Sequence, residues 1–259
     1  MTINLANPVN WQSPLNRNRE AWWLGLGNPY SGVVNWVDLT RRHTLSPVAG
    51  LSWLAYKSNW ISRYFAASYG TAHANSSALS YDRNFTYTAV VRYAGSTSPQ
   101  GIMSKGVGGA YLRIYNNKLN FLQSYVTDII SGSTNVPANT WCHVAVTIDS
   151  ANNGTVYLNG KSDATFTASV TFNGAEAFSL GSDLAGTFER LDGSIAEASV
   201  FSRSLSVDEI QSLYRESLQD YPITLKRTQR PIVYYPSAAS FKSAWARGSN
   251  VILQPGVLT

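Results

Sequence analysis

The chain has 259 residues, of which 44% are hydrophobic, 12% aromatic and only 14% charged, against roughly 25% charged in an ordinary globular domain, which excludes a disordered or coiled-coil chain. No apolar run approaches the roughly 18 residues of a membrane span, and Met1 to Leu15 lacks the basic start and apolar stretch of a secretory signal. The formal net charge is +5, and all fifteen acids lie between Glu20 and Asp220 together with fifteen of the twenty basic residues, so residues 1–220 sum to zero and the excess lies in residues 221–259.

Residues 1–19 are irregular, with Pro8, Pro14 and several Asn, and read as an N-terminal extension. Trp22, Trp23, Trp36 and Trp141 are expected in the core, as strand-borne aromatics of a sandwich usually are. Trp53, Trp60, Tyr64 and Tyr69 fall in an irregular stretch and are the aromatic side chains expected at the surface. Period two then dominates. In Phe85–Tyr93 the residues Phe85, Tyr87, Ala89, Val91 and Tyr93 share one face and Thr86, Thr88 and Arg92 the other, the pattern of a half-buried strand. Tyr111–Tyr115 and Lys118–Leu122 flank Asn116-Asn117, a pair that tolerates the positive φ angles of a tight hairpin. Trp141–Ile148 and Thr155–Leu158 form a second hairpin, followed by Asn159-Gly160. Strands at this spacing, with turn residues between them, predict an all-β sandwich.

One helix is signalled, over residues 207–217 and packed on the edge or end of the sandwich. Ser206-Val207-Asp208-Glu209 is a capping box, and Ile210, Leu213 and Tyr214 form an apolar stripe at helical spacing. Residues 221–259 then hold four prolines and no sustained periodicity, so they read as an extended arm.

The run Trp141–Thr147, the hairpin ending Val156–Lys161, and the stretch Leu191-Asp192-Gly193-Ser194-Ile195 through Ile210 resemble the laminin G-like, concanavalin A-like jelly-roll family. In that family these pieces are a central strand, its hairpin partner, and the last strand running into a short helix. Ala21–Leu24 and Asp38-Leu39-Thr40 are similar to its opening strand and following loop, so the resemblance covers residues 20–217. Asn7–Trp11 and Ala244–Asn250 also look like short laminin G-like proteins of bacteriophages. That resemblance implies a virion protein assembled in the host cytoplasm, in keeping with the missing signal.

The sequence offers little chemistry. Glycosidases of this fold place acids at alternating strand positions, but Glu189, Asp192 and Glu197 are separated by three and five residues and read as loop and rim charges. His43, His73 and His143 are dispersed, with His143 expected to be a hydrogen-bonded structural side chain. Cys142, the single cysteine, reads as a small buried hydrophobe and excludes an internal disulfide. Ser104–Ala110 is Gly-rich but lacks a Gly-Lys-Ser/Thr ending and precedes a strand, so it reads as a flexible loop. The family resemblance implies a structural calcium near Ile195-Ala196-Glu197, a site weakened by Ala196, although Asp38, Asp192 and Glu197 remain. On balance no metal and no cofactor are expected.

The prediction is an all-β, concanavalin A-like jelly-roll β-sandwich with one short C-terminal helix: an extension over residues 1–19, the domain over 20–217, and a basic arm over 218–259. The expected function is a non-enzymatic virion structural protein, a bacteriophage capsid decoration (cement) protein. Lys226, Arg227, Arg230, Tyr234, Tyr235, Trp245 and Arg247 of the arm would contact the major capsid protein, other virion subunits or sister copies, as in a trimer. The arm packing on its own sandwich is an equal reading; nucleic acid ranks last, because five charges over 39 residues are sparse. The alternative function is a carbohydrate-binding or adhesion module, such as part of a tail fibre, that meets a surface glycan through Trp53, Trp60 and Tyr64.

Overall fold

Successive side chains of a pleated strand leave opposite faces, so the alternating stretches can each bury one side. The computed structural model describes residues 10–24, 37–43, 45–47, 52–56, 60–65, 71–73, 79–124, 126–168, 172, 177–183 and 188–219. In chain order the strands are β1 (Arg19–Leu24), β2 (Val37–Asp38), β3 (Leu45–Pro47), β4 (Ser52–Tyr56), β5 (Trp60–Phe65), β6 (Thr71–His73), β7 (Phe85–Tyr93) and β8 (Gln100–Ser104). They continue with β9 (Ala110–Tyr115), β10 (Lys118–Gln123), β11 (Thr127–Asn135), β12 (Trp141–Ile148), β13 (Asn153–Leu158), β14 (Lys161–Thr167), β15 (Ser179–Leu180) and β16 (Gly193–Phe201). The helix α1 (Val207–Tyr214) runs into a wider π-type turn, Arg215–Gln219.

Among the described residues the strands form two antiparallel sheets. One is nine-stranded, ordered β14-β13-β12-β7-β16-β1-β2, with β5 also paired to β16 and β4 to β5; the other is seven-stranded, ordered β11-β10-β9-β8-β15-β6-β3. Neighbours far apart in sequence, such as β7 beside β16, make this a jelly-roll sandwich rather than a meander. Phe85, Tyr87, Ala89, Val91 and Tyr93 enter the core, as their alternation predicts, and meet Leu112, Ile114, Leu119 and Phe121 of the seven-stranded sheet. Aromatic rings fill the centre: Trp23 stacks on Phe178 with centroids 5.3 Å apart, and Phe121 on Phe166 at 5.5 Å. Burying each such ring contributes about 1.5–3 kcal/mol before entropy is counted.

The turn chemistry follows the sequence closely. Asn116 and Asn117 adopt φ of 50° and 61°, and Asn159-Gly160 adopts 51° and 75°, the left-handed values that short hairpins need. The capping box forms, with the Glu209 amide donating to Ser206 Oγ at 3.3 Å and the Ser206 amide to Glu209 Oε2 at 2.9 Å.

Several expectations are corrected. The helix lies on the outer face of the nine-stranded sheet, not at an edge or end, because Ile210 and Leu213 pack with Ala145, Tyr157 and Phe201. The Thr86/Thr88 face of β7 is consequently buried as well, and its hydroxyls find partners at Arg203 O and His143. Trp141 is only half-buried, whereas Trp22 and Trp23 are fully buried. The Gly-rich segment 104–110 is a tightly bonded loop, not a loose one: the Gly108 amide donates to Ser124 O, the Ser124 amide to Gly109 O, and Lys105 is buried beneath it. Trp53 lies on β4 and Trp60 and Tyr64 on β5, regular strands rather than an irregular stretch. Trp36, Tyr69 and every arm residue named above lie outside the described residues.

Candidate binding cleft on the seven-stranded sheet

Ala110, Leu112 and Ile114 of β9 point into the core, so Tyr111, Arg113 and Tyr115 leave the opposite face. Pairing sets Asn120 beside Arg113 and Leu122 beside Tyr111, and β11 sets Asp128 beside Leu122. A segment from another part of the chain closes over this row. Asp183 and Phe188 pair as an isolated bridge, and the Gly101 amide donates to Glu189 O at 2.6 Å. The approach depends on Gly101: a Cβ there would stand 2.7 Å from both the Ser182 carbonyl carbon and Tyr111 Oη. Glu189 itself sits at φ 45°, a left-handed conformation that costs a non-glycine residue energy and clusters at functional sites.

The result is a cleft of about 270 Å³ in which Tyr111, Arg113, Gln123, Asp128, Asp183 and Glu189 converge, with Leu122, Val126 and Thr127 completing its walls. Arg113 organises it. Its Nη1 donates to Glu189 Oε1 at 2.9 Å and Oε2 at 3.1 Å, its Nη2 to Asp128 Oδ1 at 3.1 Å, and its Nε to Asn120 Oδ1 at 3.0 Å. Tyr111 Oη adds a bond to Glu189 Oε2 at 2.7 Å. Burial, reinforced by Glu189 and Asp183, pushes the Tyr111 phenol well above its usual range, so it stays protonated and donates. Asp183 is buried and accepts from the Ser104 and Ser124 hydroxyls. Towards solvent, the Asp128 side chain is 59% exposed and Val126 is 61% exposed. The cleft therefore combines a fixed charge-assisted network, an accessible carboxylate at Asp128 and an apolar rim, which suits hydroxyl-rich ligands.

The acids singled out in the sequence do not assemble. Glu189 is in the cleft, but Glu197 lies on the outer face of the other sheet, where it accepts from Trp22 Nε1 at 2.8 Å and pairs with Arg19 at 3.3 Å. Asp192 stands just before β16, its amide donating to Gln100 Oε1. Asp38, a candidate calcium ligand, instead accepts from the amides of Trp22, Thr40, Arg42 and His43. A carboxylate saturated by backbone donors is a loop organiser, and Asp38, Asp192 and Glu197 do not fit a calcium ion. Among the described residues no group of three His, Cys, Asp or Glu side chains could hold a metal ion.

A second polar cluster is sealed under α1. Arg19 donates to Asn16 Oδ1 at 3.0 Å and Ser199 Oγ at 2.9 Å, and its guanidinium lies 3.5 Å from the Trp22 ring centre. Burial lowers its pKa to about 10, with Glu197 and Glu216 opposing the shift, so it remains charged at neutral pH. His143 Nε2 lies 2.7 Å from Thr88 Oγ1, and burial, aided by Arg19, lowers the imidazole to about 3. It is thus the hydrogen-bonded structural histidine the sequence predicts, and burial keeps it neutral. Cys142 is buried and its thiol pushed up to about 11 by that burial, consistent with an inert packing residue.

Sequence reasoning missed Tyr111, Arg113, Asp128 and Asp183. One signal was available: an Arg flanked by tyrosines on the outward face of a strand whose other face is wholly apolar. Trp53, Trp60 and Tyr64 lie elsewhere, on the β4–β5 hairpin whose strands pair with Trp53 opposite Arg63 and Tyr56 opposite Trp60.

A family profile described as the concanavalin A-like lectin/glucanases superfamily matches residues 66–211, more than half of the chain. A search of curated proteins finds no match. Among solved structures, the binding domain of Paraclostridial Mosquitocidal Protein 1 is similar at TM-score 0.63 and 14% identity, over 78% of this chain and 53% of that one. Domain 4 of AbnA, an extracellular arabinanase from Geobacillus stearothermophilus in complex with arabinotriose, is similar at TM-score 0.57 and 16% identity, over 76% of this chain and 98% of that one. Botulinum neurotoxin type C, whose cell entry depends on two ganglioside molecules, matches at TM-score 0.63 and 16% identity over 81% of this chain and 53% of that one. The chain thus spans about half the length of the toxin structures, and at these identities the likeness is one of fold. With the two-sheet jelly roll and the matched profile in hand, this chain belongs to the concanavalin A-like lectin/glucanase superfamily.

Proposed function

We propose that the chain is a non-catalytic glycan-binding module and that the cleft over β9, β10 and β11 is its binding site. The observation that carries this is the convergence of Arg113, Asp128, Glu189 and Gln123 in one 270 Å³ cleft with Val126 at its rim. Planar side chains held by each other in fixed geometry can exchange hydrogen bonds with vicinal hydroxyls at little entropic cost. Both oxygens of Glu189 already accept from Arg113, and one accepts from Tyr111, a binding arrangement rather than an acid facing a separate base. The arabinotriose bound by the arabinanase domain and the gangliosides needed by the neurotoxin lend the reading support at the level of fold.

The test is a glycan array followed by calorimetry on the full chain and on the Asp128→Ala, Trp53→Ala and Trp60→Ala variants. Asp128 is exposed, so its loss should spare the fold while weakening binding at least about tenfold, a loss of roughly 1.4 kcal/mol. Binding lost in the tryptophan variants but kept in Asp128→Ala would move the site to the β4–β5 hairpin and refute this assignment.

The reading as a bacteriophage capsid decoration protein rests on a different observation, the acid-free 39-residue end that holds the whole +5. On that reading, deleting residues 221–259 abolishes particle attachment or oligomerisation and leaves a folded body. Unchanged assembly after the deletion removes it.

A further inference from the structure

Among the described residues, three of the side chains lining the cleft are carboxylates, Asp128, Asp183 and Glu189, and one, Arg113, is a cation. That cation is already committed. Its Nε serves Asn120, its Nη1 both oxygens of Glu189, and its Nη2 Asp128, so each nitrogen of the guanidinium has an acceptor within the protein. Tyr111 Oη, the next donor in the cleft, is spent on Glu189 as well. What the cleft offers a ligand is therefore acceptor-rich and negative. Carboxylates accept and never donate, which matches the hydroxyl donors of a neutral sugar. A ligand carboxylate or sulfate would instead set anion against anion, beside a guanidinium most of whose N–H groups already serve the protein's own acceptors. Such like-charge juxtaposition is how binding sites reject partners.

We propose that the cleft selects uncharged glycans and excludes sialylated, uronic-acid and sulfated ones, with Asp128 and Glu189 as the specificity-determining residues. This rests on the glycan-binding reading above and adds the class of sugar. Asp128, more than half exposed, meets the ligand first. Glu189 acts from the covering segment, held in place by the close approach at Gly101.

The experiment measures the full chain against neutral oligosaccharides (lactose, cellotriose, arabinotriose) and against 3′-sialyllactose, a glucuronic-acid oligosaccharide and a sulfated lactose, at fixed low salt. At least one neutral sugar should bind, with charged counterparts at least about tenfold weaker. Asp128→Asn and Glu189→Gln should each narrow that ratio by improving binding of the charged sugars, because each removes a negative charge and loosens a hold on the guanidinium. A destabilised protein would weaken both classes together, so the ratio separates selectivity from folding. Asp128→Asn, at an exposed position, keeps the test sound if Glu189→Gln fails to fold. Equal or tighter binding of the charged sugars by the unaltered chain overturns the selectivity and leaves the glycan reading standing. A ratio unmoved in Asp128→Asn overturns the assignment to Asp128, and absence of binding to every sugar overturns both readings.

Discussion

Replacing Arg19 by Met removes a charge from the polar cluster sealed under α1 while keeping most of the side chain's apolar stem. Arg19 is 1% exposed and makes bonds from Nε and Nη2 to Ser199 Oγ, from Nη1 to Asn16 Oδ1, and from Nη2 to Glu197 Oε1. After Arg19→Met, the Glu197 carboxylate, whose side chain is only 13% exposed, keeps the Trp22 indole as its hydrogen-bond donor but loses its paired cation. Orphaning one member of a buried pair costs about 3–5 kcal/mol. Loss of the guanidinium from over Trp22, 3.5 Å from the ring centre, acts in the same direction. At about 2–4 °C per kcal/mol for a domain of this size, the melting temperature should fall by about 6–20 °C. Urea unfolding followed by tryptophan fluorescence, with a thermal melt beside it, measures both quantities. The double variant Arg19→Met/Glu197→Gln removes the orphaned charge yet leaves an acceptor for Trp22, so it should recover about half of the loss. A single-variant cost below about 1 kcal/mol, or a double variant no more stable than the single, would refute the claim that uncompensated charge is the cause.

His143 carries a pH prediction. Its folded pKa is near 3 against 6.5 when unperturbed. Between those values the unfolded chain binds a proton that the native state rejects, so stability is lost as pH falls from 6.5 towards 3. The slope from this residue is up to about 1.4 kcal/mol per pH unit, and His143→Gln should flatten the stability curve by that amount between pH 6 and 4. Parallel curves for the two proteins would sink the assignment. Gly101→Ala should cost about 1–3 kcal/mol by overpacking, since its Cβ would meet Ser182 and Tyr111 Oη at 2.7 Å. It should also weaken glycan binding, whereas Gly106→Ala, at φ 76° outside the cleft lining, should lower stability and leave affinity unchanged. Ser206→Ala should cost about 1 kcal/mol through loss of the cap to Glu209, read by urea unfolding; no change would mean that the Glu209–Arg203 pair alone holds that helix end.

What the sequence discloses is what short range decides. The alternation of Phe85 to Tyr93, the Asn116-Asn117 turn and the Ser206–Glu209 capping box each involve neighbours within one element, and each forms as read. What it hides depends on which layer covers which face. Thr86 and Thr88 look like the solvated face of a half-buried strand, yet α1 arrives from over a hundred residues downstream and covers that side of the sheet. The expectation of an edge-docked helix fails for the same reason: an apolar stripe says that a helix buries one side, not which surface receives it. The cleft is the extreme case. Arg113 and Asp128 are 15 residues apart, Arg113 and Glu189 are 76, and Ser104 and Asp183 are 79. The β9-β10-β11 meander brings Asp128 to Arg113, but only the long-range jelly-roll crossing brings Asp183 and Glu189 to the same place, and no local spacing could encode it.

Arg19 and Arg113 show how one device can serve two ends in a chain so poor in charge. Each guanidinium sits on the outward face of a sheet, beside an aromatic ring, with a glutamate that arrives from far along the chain. Over Arg19 the helix and its π-type turn close the site, leaving a void of about 10 Å³ beside Thr88, His143 and Leu213. That is room for at most one water, so the cluster has nothing else to bind and its bonds contribute to the fold. Over Arg113 the cover is Asp183 and Glu189 alone among the described residues, and about 270 Å³ remain open beside Asp128 and Val126. The polar groups there are as firmly held, but their outer acceptors face water and can exchange it for a ligand. The difference between a stabilising cluster and a recognising one is thus the layer above it: a capped amphipathic helix on one sheet, and a narrow segment admitted by Gly101 on the other.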